Sequence, residues 1–230
     1  MQRVELDNLT KAFGRDFALH RLSIGFEAGD ITGLAGDNGS GKTTLLNVLA
    51  TLSPPTRGEV HYDDLDWSTF AGHYRNRIGW VSHESLVYGE LTGRENLSFY
   101  ARMYGGDGDD GSVEPWLERV GLADDADKRV ADYSRGMRQR LSIARALLHD
   151  PDLLLFDEPL TGLDRSGRET VLELIRRQRE AGKIGVVASH DLGALGELCD
   201  RVAILDRGAL GSMVEPDSES DLAEAYVDCG

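Results

Sequence analysis

A run of eight residues near the start of the chain has the composition and spacing of a phosphate-binding loop. It reads Gly36-Asp37-Asn38-Gly39-Ser40-Gly41-Lys42-Thr43, which fits G-x-x-x-x-G-K-[ST]. Glycines let successive backbone N–H groups face one anion, and the start of a following helix adds partial positive charge. Lys42 supplies a cation for terminal phosphates, and the Thr43 hydroxyl suits Mg²⁺. We therefore predict that this loop, with Thr44 behind it, binds the phosphates of a nucleotide. The Lys42-Thr43 pair argues against the alternative, a dinucleotide-binding turn.

Two carboxylates and a histidine each follow an apolar run later in the chain. Asp157 and Glu158 come after Leu153–Phe156, and His190 comes after a run that begins at Ile184. Directly after an apolar strand, the Asp157 carboxylate is suited to bind Mg²⁺. The Glu158 carboxylate is suited to accept a proton from water. His190 would contact the terminal phosphate and orient Glu158 and the water. A solvated turn is the alternative for the two acids, and a structural role is the alternative for the histidine.

The order of the predicted elements explains how these residues could meet. Short strand-like runs alternate with amphipathic helical runs, which predicts an α/β fold with a mainly parallel sheet flanked by helices. Ile31–Ala35 is the strand-like run before the glycine-rich loop. Open α/β sheets bind ligands beyond the carboxyl ends of their strands. We therefore expect the loop, the two acids and His190 to share one edge of the sheet.

The middle of the chain has a different pattern. From Thr92 to about Leu148, helix-like segments replace strands. We predict a helical subdomain at about residues 84–148, inserted into an α/β core made of residues 1–83 and 149–230. The whole of residues 1–230 would then form one domain. After Ser212 we expect a short strand or helix and then a frayed end.

Composition narrows the possible partners and compartment. The 230 residues include 40 acidic and 25 basic ones, for a formal charge of −15. This excess argues against nucleic acid as a partner. Cys199 and Cys229 match no metal or redox spacing, which favours ordinary thiols in a reducing compartment. No apolar run approaches the roughly 18 residues of a membrane span, so we expect any role at a membrane to be peripheral.

Together, these motifs resemble those of the ATP-binding subunit of an ABC transporter. The most specific further match is Tyr133–Arg140, which is similar to the family's signature L-S-G-G-Q-x-Q-R. Ser134 and Gly136 match that signature, whereas Arg135 and Met137 depart from it. The resemblance implies a P-loop ATPase core with an N-terminal antiparallel β part and an inserted helical subdomain.

The resemblance also implies roles for particular residues. ATP and Mg²⁺ would be the cofactors, with Thr43, Asp157 and His83 at the metal. Histidine at position 83 replaces the family's usual glutamine. Ser134 and Gly136 would bind ATP held by a second subunit, either an identical chain or a paired ATPase, and Asp164 would cross the dimer interface. Phe13 resembles the aromatic residue that stacks on adenine, and a core position is its alternative.

The resemblance further implies integral membrane permease subunits as partners and a location on the cytoplasmic side of the cell membrane. The stretch from Ile78 to Gly105 is similar to that of the haem-exporter subunit used in cytochrome c biogenesis. An ATPase subunit of another exporter of drugs, lipids or ions is the alternative. Two other classes stay open: a soluble ABC ATPase without a transport role, and a plain P-loop kinase. The hypothesis of a plain P-loop kinase does not explain why one chain contains Tyr133–Arg140, Asp164 and His190.

Overall fold

The computed structural model describes residues 1–216 and 219–228, which form strands and helices in the predicted alternation. The strands are β1 Arg3–Phe13, β2 Asp16–Glu27, β3 Ile31–Ala35, β4 Arg57–Tyr62, β5 Leu65–Asp66, β6 Ile78–Val81, β7 Leu153–Asp157, β8 Ile184–Ala188, β9 Arg201–Asp206 and β10 Ala209–Val214. The helices are α1 Lys42–Leu49, α2 Trp67–His73, α3 Gly93–Met103, α4 Asp110–Arg119, α5 Arg135–Leu147, α6 Arg165–Glu180, α7 Leu192–Leu198 and α8 Glu219–Asp228. Short 3₁₀ turns cover 75–77, 123–125 and 130–132.

The strands form two sheets. The smaller sheet has the order β2-β1-β4-β5, and its neighbouring strands pair antiparallel. The larger sheet has the order β10-β9-β3-β8-β7-β6. Its pairs are parallel from β9 across to β6, and β10 turns back antiparallel on β9 through a tight turn at Arg207-Gly208. A mainly parallel sheet and an N-terminal antiparallel part were both expected.

The core lies on both faces of the larger sheet. All residues of β3, β7 and β8 are buried, as a continuous apolar run predicts for a strand covered on both sides. Successive side chains of a strand point to opposite faces. Leu155 accordingly belongs to the cluster shared with α1 and the smaller sheet, whereas Phe156 belongs to the cluster shared with α5, α6 and α7.

Most of the helices begin at a side chain that accepts a backbone hydrogen bond. Such caps satisfy N–H groups that have no partner within the helix. These capping residues are Asp66, Thr92, Asp109, Ser134, Asp164 and Asp191. Helix α1 differs, because it begins at Gly41 in a left-handed conformation and has no side-chain cap. Its first N–H groups are therefore left for another partner.

Two helix boundaries differ from the sequence-based expectation. The apolar run at residues 43–52 predicts a helix stopped by Pro54 and Pro55. The helix ends earlier, at Leu49, because Thr51 has a left-handed backbone with a φ of 58°, and Trp67 and Tyr62 donate to the last carbonyls, those of Val48 and Leu49. The glycine- and aspartate-rich stretch at residues 105–112 predicts a turn, which is shorter than expected. Its last residues join α4, because Oδ1 of Asp109 accepts the backbone N–H of Ser112.

The end of the chain follows the expectation of a strand or helix, since β10 and α8 both form there. The predicted frayed end and Cys229 lie at residues 229–230, outside the described residues. Cys199 is buried as a free thiol, and burial raises its pKa. Within residues 1–216 and 219–228, no helix has both the length and the apolar character needed to cross a bilayer.

Candidate functional site

The glycine-rich loop joins the end of β3 to the start of α1, as its motif requires. Gly36 has a φ of 145°, and a Cβ there would lie 2.4 Å from the carbonyl oxygen of Leu205. Gly41 has a φ of 108°, and a Cβ there would lie 2.6 Å from the carbonyl oxygen of Ala18. Both positions therefore need glycine, for backbone conformation and for space. The resulting turn presents the uncapped N-terminus of α1 to the cleft.

Lys42 is the cation of this loop. Its Nζ donates to the carbonyl oxygens of Gly36 at 2.6 Å and Asp37 at 3.0 Å. Burial lowers the pKa of Lys42. The charges of nearby carboxylates, of which Glu158 has the largest effect, act to raise it. The ammonium thus lies across the mouth of the loop, where it can bind a phosphate.

Asp157 ends β7 with its carboxylate directed at the loop. It is 5% exposed, and its Oδ2 accepts the Thr43 hydroxyl at 2.9 Å. Burial raises the pKa of Asp157, while the hydrogen bond from Thr43 acts in the opposite direction. A buried carboxylate of this kind is stabilised by a nearby cation.

These oxygens fit Mg²⁺. A hydroxyl and a carboxylate are hard ligands of the type Mg²⁺ prefers, and this ion usually keeps waters and substrate phosphates in its other positions. Among the described residues, no group of three or more His, Cys, Asp and Glu side chains gathers as a full protein cage would require. A site made by Thr43 and Asp157, completed by phosphate and water, fits both observations.

Glu158 has a left-handed backbone, with a φ of 53°. Its Oε1 accepts the backbone N–H of His190 at 2.9 Å and contacts His190 Nδ1 at 2.6 Å. Because an ionised carboxylate only accepts, Nδ1 must carry the proton in this contact. The imidazole is 73% exposed, whereas the Glu158 side chain is 19% exposed. The two predicted catalytic residues are therefore in direct contact.

Two further residues hold this carboxylate, and the sequence analysis missed both. Ser189 is buried, and its hydroxyl donates to Oε2 of Glu158 at 3.0 Å, while Thr161 contacts the same oxygen at 3.4 Å. The backbone N–H of Asp191 donates to the Ser189 hydroxyl at 3.1 Å. The available signal was position, because Ser189 directly precedes His190 at the end of an apolar run.

A cleft of about 520 Å³ joins these groups. Its lining brings together most of the residues that the sequence placed in one site, and it adds two that were not predicted, Ala18 and Thr161. The predicted members are Asn38, Gly39, Gly41, Lys42, Thr43, Thr44, His83, Asp157, Glu158 and His190. Gly36 and Ser40 also belong to the loop, but they are buried and do not line the cleft.

His83 lies between this cleft and a smaller one. Its exposed side chain lines the large cleft and also a neighbouring cavity of about 140 Å³. The smaller cavity is lined by Arg135, Arg138 and Gln139 of α5, and by Glu158. Gln139 also donates to the carbonyl oxygen of Pro159 at 3.1 Å. The signature segment thus contacts the edge of the sheet that carries Glu158 within one chain.

The other predicted contact residues lie away from the large cleft. Ser134 caps α5 through Met137, and Asp164 caps α6 through Gly167. Gly136 packs close to the loop before α6, because a Cβ there would lie 3.1 Å from the carbonyl oxygen of Gly162. Asp164 therefore has a structural role in its own chain that the sequence analysis did not foresee.

Phe13 is not brought into the cleft lining. It ends β1 with 58% of its side chain exposed, and Lys11 Nζ lies 5.0 Å from its ring centre. The exposure argues against the alternative of a core position. The ring is available for stacking, and Ala18 lines the cleft on the neighbouring strand.

Comparison with known proteins gives consistent results. A profile of the ABC transporter family matches residues 19–161. The ABC transporter ATP-binding protein NatA of Bacillus subtilis (strain 168) is 36% identical over 219 residues, which cover 91% of this chain and 89% of that protein. The Nod factor export ATP-binding protein I of Burkholderia lata is 34% identical over 231 residues, covering 97% of this chain and 76% of that protein.

A solved structure extends the likeness to three dimensions. It is a dimeric ATP-binding cassette in a post-hydrolysis state, bound to ADP and Pi, and it matches with a TM-score of 0.85 and 28% identity. The match covers 94% of this chain and 99% of that one. This likeness confirms the predicted fold class.

Proposed function

This chain belongs to the ABC transporter family as an ATP-binding subunit with an ATPase domain, and we propose that it drives export across a membrane through ATP-dependent pairing with a second subunit. One observation carries the proposal. Lys42, Asp157 and the contacting pair Glu158–His190 converge on one cleft at the carboxyl edge of the larger sheet.

The proposed hydrolysis uses the loop, the carboxylates and the histidine in separate roles. The N–H groups of the loop and the ammonium of Lys42 bind the phosphates of ATP, and Phe13 stacks on the adenine. Mg²⁺, held by Thr43 and Asp157 with His83 nearby, would neutralise charge on the β- and γ-phosphates when bound. Glu158 accepts a proton from the attacking water.

His190 is the movable member of the catalytic pair. A carboxylate has about four lone-pair sites, and four donors surround that of Glu158. A water can therefore donate to Glu158 once one donor leaves. The His190 imidazole is the most exposed of these donor groups, and we infer that it turns toward the γ-phosphate when ATP binds.

Pairing of two subunits completes the site in this proposal. Ser134 and Gly136 begin α5 outside the cleft, and helix N-termini bind anions well. They would contact the ATP of the partner subunit, with Asp164 at the interface. The dimeric arrangement of the similar solved cassette supports this step.

The membrane partner would contact the predicted helical subdomain at residues 84–148. Large apolar side chains are exposed there, in the segment between His83 and α3 and on α3 itself. These residues are Leu86, Tyr88, Phe99 and Met103. Exposed apolar patches of this kind mark interaction sites. We infer that permease subunits bind here and place the chain on the cytoplasmic side of the membrane, with no nucleic-acid partner.

The cargo is proposed from the relatives. The Burkholderia protein is named for Nod factor export, which supports export as the direction. Neither relative named above carries haem or cytochrome c in its name, so the haem-exporter hypothesis gains no support from them. We therefore favour export of a small molecule other than haem. The name of the Burkholderia protein also favours a transport role over a soluble ABC ATPase without one.

The test uses Glu158→Gln protein, which lacks the proposed base but keeps its shape. We expect ATP hydrolysis to fall by about 10²- to 10⁴-fold, the usual contribution of a general base. ATP binding should persist, and size-exclusion chromatography with ATP should show a stable dimer. Glu169→Gln, on the exposed face of α6, is the matched control. A Glu158→Gln protein that hydrolyses ATP normally, or stays monomeric with ATP, would contradict the proposal.

A further inference from the structure

Helix α8 reaches back to the phosphate-binding loop. Leu222 anchors it as a fully buried member of the core. Tyr226 lies one turn later on the same face of the helix, since residues four apart are neighbours. Its ring packs against that core, and its hydroxyl donates to Oδ1 of Asp37 at 2.7 Å. The contact joins residues 189 positions apart in the sequence.

Asp37 has two functions within the loop. Its backbone carbonyl accepts Lys42 Nζ at 3.0 Å and the backbone N–H of Ser40 at 3.1 Å. Its carboxylate lies outside the cleft lining, on the hydroxyl of Tyr226. The charge of that carboxylate still acts on Lys42, since it favours the ammonium form. The position of the Asp37 side chain therefore matters to the cation that would bind phosphate.

We propose that Tyr226 is a positioning residue of the ATP site, whose hydroxyl holds the Asp37 carboxylate away from Lys42 and from the incoming phosphates. The inference rests on the proposed function, because it requires the loop to bind ATP. A free carboxylate would repel the triphosphate and compete with it for the ammonium. The hydrogen bond to the Asp37 carboxylate raises the pKa of Tyr226 to about 12, so the tyrosine keeps its proton for this bond near neutral pH.

The docking of α8 and the affinity for ATP are therefore linked. Displacement of α8 would remove the hydroxyl and free the Asp37 carboxylate. The loop would then keep its backbone shape but bind ATP more weakly. Any partner that lifts α8 would lower ATP affinity without contacting the cleft.

The test is Tyr226→Phe, which removes the hydroxyl and keeps the ring in the core. We expect the KM for ATP to rise about threefold to tenfold, the factor that one exposed hydrogen bond can supply. The kcat should stay within about twofold, because the catalytic pair is untouched. Val227→Ala is the matched control, since that side chain is 76% exposed on the same helix. Its KM should equal that of the wild type.

An Asp37→Ala background separates the proposed route from a general loosening of α8. If Tyr226 acts through Asp37, adding Tyr226→Phe to Asp37→Ala should leave the KM unchanged. A further rise, or a Tyr226→Phe protein that matches Val227→Ala, would overturn the inference. Lys42→Ala tells the two proposals apart: equal ATP binding by wild type and Lys42→Ala refutes the proposed site itself. Weaker binding by Lys42→Ala alone, with normal Tyr226→Phe, refutes the role of Tyr226.

Discussion

Gly36 and Gly39 occupy the same loop with positive φ values, but their surroundings differ. Gly36 has a φ of 145°, and a Cβ there would lie 2.4 Å from the Leu205 carbonyl and 2.5 Å from Ser40 Oγ. Gly39 has a φ of 86°, and a Cβ there would have open space within 4 Å. The pair of alanine substitutions therefore separates backbone strain from steric conflict.

The expected costs follow from these contacts. Gly39→Ala should lower the free energy of unfolding by about 1–2 kcal/mol, the cost of a left-handed alanine. Gly36→Ala adds overpacking of about 1–3 kcal/mol to a backbone strain of about 1–3 kcal/mol. The Leu205 carbonyl belongs to β9 and cannot turn aside as a flexible side chain can. We therefore expect Gly36→Ala to cost about 2–6 kcal/mol, more than Gly39→Ala.

Urea unfolding followed by circular dichroism measures both costs, and ATP binding by calorimetry reports the state of the loop. A loss of 1 kcal/mol lowers Tm by about 2–4 °C in a domain of this size. Gly36→Ala should also weaken ATP binding, since relief of the clash must displace the loop. Equal unfolding free energies for the two variants would refute the steric reasoning. Unchanged ATP binding by a destabilised Gly36→Ala protein would show that β9 moves to relieve the clash and that the loop keeps its position.

Two further predictions concern the Glu158 carboxylate, the proposed base, and a half-buried histidine. Ser189→Ala should lower kcat while the KM for ATP stays near that of the wild type, because Glu158 loses a donor that fixes its direction. Ser189→Thr should restore kcat, and steady-state ATPase assays of both variants check this; equal kcat values for Ser189→Ala and wild type would contradict it. His149 stacks on Tyr104 at 3.7 Å and hydrogen-bonds the Ile78 carbonyl, and burial lowers its pKa. The unfolded chain therefore takes up the proton first, so stability should be complete above about pH 6.5 and fall below it, by up to about 1.4 kcal/mol per pH unit. Urea unfolding from pH 7.5 to 5 should show this acid-side loss in the wild type and a smaller one in His149→Phe, and equal slopes would contradict it.

Much of the fold could be predicted because its signals are local. Continuous apolar runs correctly identified β3, β7 and β8, whose residues are buried on both faces. The end of α1 could not be predicted, because Thr51 takes a left-handed backbone there and Trp67 and Tyr62 satisfy the last carbonyls from beyond the next turn. A helix boundary set by such tertiary donors leaves no mark in the helix's own sequence.

The same distinction applies to the site. The loop around Lys42 is contiguous, so its spacing alone identified it. Glu158 and His190 were predicted because each follows a buried strand. Ser189 and Tyr226 reach the site through contacts 31 and 189 residues away in the chain. A serine and a tyrosine have many possible roles, and no spacing rule connects them to their partners.

The register of the larger sheet sets the spacing between the elements of the candidate site. Ala188 of β8 pairs with Asp157 on one side and with Leu34 on the other. Strands lie about 4.8 Å apart, so the backbones of β3 and β7, with β8 between them, are roughly 10 Å apart, and the Thr43 and Asp157 side chains bridge that distance. That separation is fixed by backbone pairing and does not depend on surface side chains. Substitutions of exposed side chains in the helical region should therefore leave this spacing unchanged.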